Sequence, residues 1–260
     1  RDRDVTGVQT CALPICDIDL LLYREADYER SIEWIADKGI EMEIGDHIHY
    51  KFDIDGISIE NHCRITYFDH KKYDRFFAEW EKETAEKENF TYTEIGGLRV
   101  KQLPVEMNAF FIFQRMFRHF VHMGVGFRQY CDWLLFLSHF RKDINPGSFT
   151  TIAEKFALLY PMQVFARAAV KYLGVSGSIF PFKMIEEDKY ADMIIGDIFH
   201  SGNFGFHKPG KQRPEEKMSG MWFSYKSTIK RSIKFGSLSP QHSRILPVKK
   251  LINRLKIGFK

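Results

Sequence analysis

The chain has 260 residues, 44% hydrophobic and 28% charged, which is enough length and apolar content for a sizeable core and excludes a disordered chain. No apolar run reaches the roughly 18 residues of a membrane-spanning helix. Four cysteines, at 11, 16, 63 and 131, form no Cys-x-x-Cys pair, which disfavours a zinc site and a disulfide scaffold. The net charge of +4 hides an asymmetry: Lys217–Lys260 holds 11 Lys or Arg and no acid, so the preceding 216 residues sum to −7.

Arg1–Ile15 (RDRDVTGVQTCALPI) has neither helical nor strand periodicity and no signal-peptide pattern. The segment resembles a translated sequencing adapter and is expected to be non-native. Gly is then one residue that the native codon at Cys16 admits, and the protein is expected to lack part of its own N-terminus. Setting those residues aside leaves Cys63 and Cys131, which fits a reducing, cytoplasmic setting.

Asp17–Tyr23 (DIDLLLY) reads as a strand buried by its apolar run, with two acids at its start. Residues 27–38 carry Ile32, Ile35 and Ala36 at helical spacing and stop at Gly39. Residues 47–54 and 57–65 alternate about Asp55-Gly56 and predict a β-hairpin. A charged amphipathic helix is predicted over 70–88, and a short strand or two over 92–100 around Gly96-Gly97. Beyond Pro104 the pattern turns helical: 105–123 and 127–142, joined by Gly124-Val125-Gly126, then 148–159, 161–173 and 185–199. With 24 Phe among the aromatics, the core is expected to be Phe-rich and helical. Strands first and helices after give an α+β fold.

Side chains at i and i+2 of a strand share a face. Asp17 and Asp19 therefore point one way, and Ser58, Glu60, His62 and Arg64 share one face of the second hairpin strand. Set beside each other, the two strands would gather three carboxylates. That is an all-oxygen site suited to one or two Mg²⁺ ions that bridge substrate phosphates. A bare Asp-x-Asp is also what a solvated strand edge carries, so both readings stay open here. In the helical half, Arg128 and Asp132 (i, i+4) would share a helix face, either to clamp a phosphate or to form an ordinary ion pair. His119 and His122 sit near a helix end, as phosphate or metal contacts or as core-edge residues. Phe110, Phe113, Phe117 and Phe120 read as core stripe.

Several of these segments look familiar. Cys16–Leu22 (CDIDLLL) resembles the (G)DIDLLL motif of nucleotidyltransferase-fold proteins, and Ile59–Arg64 (IENHCR) resembles their third-acid strand. His119–Trp133 (HFVHMGVGFRQYCDW) is similar to the H-x-x-H-x-G-x-G-[LF]-R-Q-x-C-D-W signature of an uncharacterised bacterial nucleotidyltransferase family found near surface-polysaccharide genes. Ser201–Gly205 (SGNFG) resembles a further motif of that family, and the likeness runs over about residues 16–207. It implies a small mixed β-sheet nucleotidyltransferase core, truncated, at 16–103; the helical pattern then gives a helical region at 104–216, and the charge run a basic tail at 217–260. It implies metal ligands at Asp17, Asp19 and Glu60, Mg²⁺ as the ion and a nucleoside triphosphate as substrate, with Arg128, His119 and Asp132 as nucleotide contacts. The Gly-Ser motif that precedes the Asp-x-Asp strand in such proteins is replaced here by the adapter-like stretch, so nucleotide binding is expected to be impaired.

Val248, Leu251, Ile252, Leu255 and Phe259 recur at helical spacing among lysines and arginines. That pattern fits a basic amphipathic helix over 245–260 on an anionic membrane surface, or a helix docked on the protein body. Nucleic acid is not an expected partner, because no reading motif accompanies the charge. The leading expectation is transfer of a nucleoside monophosphate from a triphosphate to an acceptor hydroxyl. A glycosyltransferase using Asp-x-Asp on a nucleotide-sugar and a non-catalytic binding protein are the alternatives.

Overall fold

The computed structural model describes residues 18–44, 48–201 and 217–258. Asp17, the adapter-like stretch, the SGNFG motif beyond Ser201 and Phe259 lie outside them, as does the side chain of Leu255. The chain forms two compact units, Arg1–Tyr67 with Ala78–Glu86, and Phe68–Phe77 with Lys87–Lys260.

The first unit is built on a four-stranded sheet of β1 (Ile18–Leu21), β2 (Met42–Ile44), β3 (His49–Ile54) and β4 (Ile57–His62), in the order β1-β4-β3-β2. β1 runs parallel to β4, and the other two pairings are antiparallel. The β3–β4 hairpin turns at Asp55 and Gly56, whose φ of +52° and +77° are the left-handed values a two-residue hairpin turn demands. Helix α1 (Glu25–Asp37) has Glu25 and Asp27 in its first turn and ends at Gly39, φ +67°, where the Gly39 N–H returns to Ala36 O. Its buried Ile35 packs with Tyr50 and Phe52 on one sheet face, flanked by Ile32, Met42 and Ile59. The opposite face carries Asp19, Lys51, Glu60 and His62, with Leu21 beside them.

Three features differ from expectation. Among the described residues β1 is an edge strand, and Ile18 and Leu20 are 47% and 43% exposed. The cluster around Ile35, Tyr50 and Phe52 draws on β2, β3 and β4 and includes no residue of β1. β4 stops at His62, three residues short of the predicted end, because the Ile65 N–H and the Arg64 guanidinium are both taken by Glu81 (2.5 and 3.1 Å). β2, only three residues long, has no counterpart among the predicted elements.

Helix α2 (Lys71–Glu86) contributes its first half to the second unit and its second half to the first. The second unit also holds a two-stranded ribbon, β5 (Thr91–Ile95) and β6 (Leu98–Gln102), turned at Gly96-Gly97. Its helices are α3 (Val105–His122), α4 (Phe127–Phe140), α5 (Pro146–Lys155), α6 (Leu159–Leu173), α7 (Lys189–Ser201), α8 (Lys217–Lys234), α9 (Pro240–Ser243) and α10 (Ile245–Gly258). Asn145 caps α5 by accepting from Gly147 and Ser148 N–H, with Pro146 at the first helical position.

The core of this unit is aromatic. Phe113, Phe117 and Phe120 line up on α3 and meet Phe165 edge-on, while Trp133 packs on Phe113 with ring centres 4.8 Å apart. α8 was not among the predicted elements, since its stretch reads as part of a solvated basic tail. Arg231 is only 4% exposed, its guanidinium donating to Phe120 O and to Asp197 (2.7 Å to Oδ2), while Phe235 packs on Phe120 at 4.4 Å. A buried charge needs a partner, and here α7 and the C-terminal end of α3 supply it.

Candidate active site

Strand pairing decides the geometry of the first unit. In the parallel β1–β4 ladder Asp19 stands directly beside Glu60, and Leu21 beside His62. Because both strands alternate, Asp19, Glu60 and His62 share the polar face, opposite the Tyr50–Phe52 core. His62 Nε2 lies 3.1 Å from Asp19 Oδ1 and 3.4 Å from Glu60 Oε2. From β3, directly across the ladder, His49 stacks on His62 (4.9 Å between centres, planes 26° apart) and brings its Nε2 to 3.9 Å from Glu60 Oε2. The His62 and Glu60 side chains are 13% and 17% exposed and Asp19 is 48% exposed, so the cluster opens to solvent on the Asp19 side.

Among the described residues, Asp19, Glu60 and His62 form one group whose donor atoms all lie within 4.8 Å of one another, the spacing of ligands around a single ion. Two carboxylates and an imidazole fit a divalent cation: the oxygens are hard donors, and the nitrogen is acceptable to the borderline metals. The parallel pairing of β1 with β4 brings Asp19 and Glu60 together on the face that alternation gives each of them. Asp17 lies outside the described residues. His62 shares the face of Glu60 in the sequence, and the i, i+2 spacing that nominates Glu60 is the signal that points to it.

The remaining nominated residues belong to the second unit. His119 sits in the last turn of α3, where its carbonyl receives the Met123 and Gly124 N–H groups, so its backbone helps close the helix. Burial, helped by Arg115, Arg118 and His122, pushes its imidazole down to about 4, and it is neutral at pH 7. Arg128 and Asp132 are both exposed on α4, and Asp132 borders an open groove with Ile112, Leu135 and His139.

A second charged cluster, with no signal in the local sequence pattern, gathers around Asp69. Asp69 accepts from His122 (Nε2, 3.1 Å) and Lys249 (2.9 Å), with the Arg118 guanidinium at 3.6 Å. Burial alone would raise its carboxyl. The hydrogen bond from His122 and the cations around it hold it well below the usual carboxylate range instead. Burial also lowers His122, with Asp69 opposing. Lys250 donates to Thr228 (2.6 Å), so two lysines of the basic C-terminal helix are engaged within this unit. Leu246 is buried, while Val248, Leu251 and Ile252 are 57%, 41% and 46% exposed. No helix among the described residues is long and apolar enough to cross a membrane.

No curated protein and no solved structure matches the chain. A family model described as "Uncharacterised nucleotidyltransferase" matches residues 14–174, a stretch that takes in β1, the β3–β4 hairpin and the whole His119–Trp133 segment. With well over half of its length inside that match, the chain belongs to this uncharacterised family of nucleotidyltransferases, enzymes that transfer a nucleotidyl group.

Proposed function

We propose that the chain carries out divalent-metal-dependent transfer of a nucleoside monophosphate from a triphosphate to an acceptor hydroxyl, with Mg²⁺ as the ion expected from the family. The observation that carries this reading is the side-by-side placement of Asp19 and Glu60 on the polar sheet face. Asp19 and Glu60 would hold the ion, and Asp17, two residues before Asp19, is the third proposed carboxylate. A cation in such a site neutralises the triphosphate and lowers the pKa of an attacking hydroxyl. Glu60, the more enclosed carboxylate, would serve as ligand or as base for the hydroxyl proton. Arg128 and His119 are proposed triphosphate contacts and Asp132 a contact to the nucleotide. The acceptor is proposed to be a hydroxyl of surface-polysaccharide metabolism.

Pyrophosphate release, measured with each nucleoside triphosphate and Mg²⁺, tests the reading. Wild type should release pyrophosphate, and Asp19→Asn and Glu60→Gln should lose at least about a hundredfold in rate, the scale of a lost electrostatic contact in a transition state. Equal rates in wild type and Asp19→Asn would overturn it. Sugar release from a nucleotide-sugar, without pyrophosphate from any triphosphate, would assign the carboxylates to glycosyl transfer instead.

A peripheral membrane contact through 245–260 is supported by the exposed Val248, Leu251 and Ile252 stripe on α10. Co-sedimentation with anionic vesicles that persists in Ile252→Glu would remove that part of the proposal.

A further inference from the structure

We propose that His62 is a direct nitrogen ligand of the ion held by Asp19 and Glu60, and that it turns the site toward Mn²⁺ over Mg²⁺. This rests on the reading that those two carboxylates hold the ion, and it departs from the all-oxygen site that the sequence motif alone suggests.

The spacing is that of a coordination edge. Metal–ligand bonds of about 2.1 Å at right angles place neighbouring donor atoms about 3.0 Å apart. His62 Nε2 lies 3.1 Å from Asp19 Oδ1 and 3.4 Å from Glu60 Oε2, so one ion reaches all three with small side-chain adjustments. The backbone holds this arrangement. His62 follows Glu60 by two residues on β4, so both project to the same face, and its neighbour across the β1 ladder is Leu21, whose side chain has no polar atom to draw the imidazole away.

The ring plane is also fixed. His49 stacks against it from β3, and the pair leaves His62 only 13% exposed. Without an ion, Nε2–H faces the carboxylates as a donor, 3.1 Å from Asp19 Oδ1. A cation seated between the carboxylates takes the place of that hydrogen, and the ring's N–H then falls to Nδ1, which no described residue engages. Mg²⁺ prefers oxygen donors and dehydrates reluctantly, whereas Mn²⁺ takes carboxylate and imidazole together. A site of two oxygens and one nitrogen, open on its Asp19 side to water and phosphate, discriminates in favour of Mn²⁺.

The full chain is titrated with Mn²⁺ alone, following free Mn²⁺ by electron paramagnetic resonance, and then with Mg²⁺ in competition. Wild type should bind Mn²⁺ at a site abolished by Asp19→Asn, and its spin-echo envelope should show nitrogen modulation that changes when the histidines carry ¹⁵N. In His62→Gln the modulation should vanish and the preference for Mn²⁺ over Mg²⁺ should fall about tenfold, while His49→Gln keeps the modulation. The isotope comparison uses wild type only, so it stands even if a variant fails to fold. Mn²⁺ bound in an Asp19-dependent way without nitrogen modulation overturns the role of His62 and leaves the carboxylate site intact. Modulation that survives His62→Gln and is lost in His49→Gln overturns it as well. Absence of any Asp19-dependent binding removes the carboxylate reading itself.

Discussion

Asn61 and Tyr50 are joined by a buried hydrogen bond, Asn61 Nδ2 donating to Tyr50 Oη at 2.7 Å, on the sheet face opposite the carboxylates. Asn61 lies between Glu60 and His62, so this bond anchors β4 from behind while its two neighbours face the proposed ion. Tyr50 Oη also meets Ser31 Oγ at 2.5 Å, which ties α1 into the same network. Tyr50→Phe should leave the Asn61 amide unsatisfied and cost about 1–3 kcal/mol. Urea unfolding of Tyr50→Phe, Asn61→Ala and the double variant checks this. Strictly additive losses would mean that the bond contributes nothing.

The carboxylate pair was legible because β1 and β4 follow strict two-residue alternation, which fixes the face of every side chain once the strands are assigned. The parallel register that sets Asp19 against Glu60 is a long-range pairing, and no local pattern encodes it. His62 shared the face of Glu60 in the sequence, but an imidazole beside two acids reads equally as a surface residue until distances are known. The same reason hid the Asp69 cluster and α8. Asp69 meets partners on α3 and α10, and Arg231 meets Phe120 O across 111 residues, so a run of basic residues that looks solvated is in part buried by distant contacts. Edge position, which exposes Ile18 and Leu20, is likewise a property of the sheet rather than of the strand.

Asp69→Asn should weaken the second unit by about 1–3 kcal/mol at pH 7, since it removes the charged acceptor from His122, Arg118 and Lys249, the last of which is partly screened by solvent. The folded-state pKa of Asp69 is depressed, so its contribution is fully present above the ordinary carboxylate value near 3.9 and is lost as pH falls toward the folded value. Urea unfolding followed by helical circular dichroism should therefore show a gap between wild type and variant that narrows below about pH 4. Hydrogen exchange in residues 245–252 should rise in the variant, because Lys249 loses its partner.

His242 gives a different acid signature. Burial pushes it down to about 4, while a hydrogen bond to Phe156 O (2.8 Å) and the charge of Asp69 oppose the shift and His70 reinforces it. Between about pH 6.5 and 4 the unfolded chain takes up this proton and the folded chain does not, so stability falls as pH falls through that window. The full effect is about 3 kcal/mol. His242→Gln should flatten the pH dependence of unfolding between pH 6.5 and 4 by up to one proton. An unchanged slope would show that the imidazole titrates freely in the folded state.

The placement of Asp19 beside Glu60 should also register in stability without any turnover. Like charges directly opposite on neighbouring strands are destabilising by a few tenths to about 1 kcal/mol, and here Asp19 is half exposed, so screening keeps the figure at the low end. In chelator, Glu60→Gln should therefore melt at or slightly above the wild-type temperature. With a divalent cation present the order should reverse. Wild type gains stability in proportion to RT ln(1 + [M]/Kd), about 2.7 kcal/mol at a hundred times Kd, whereas the variant gains little. A purely structural role for Glu60 as a partner of His62 and His49 predicts the opposite: a loss in chelator and the same cation response as wild type. Melting both proteins in chelator, Mg²⁺ and Mn²⁺ separates the two, because only a ligand exchanges a cost without the ion for a gain with it.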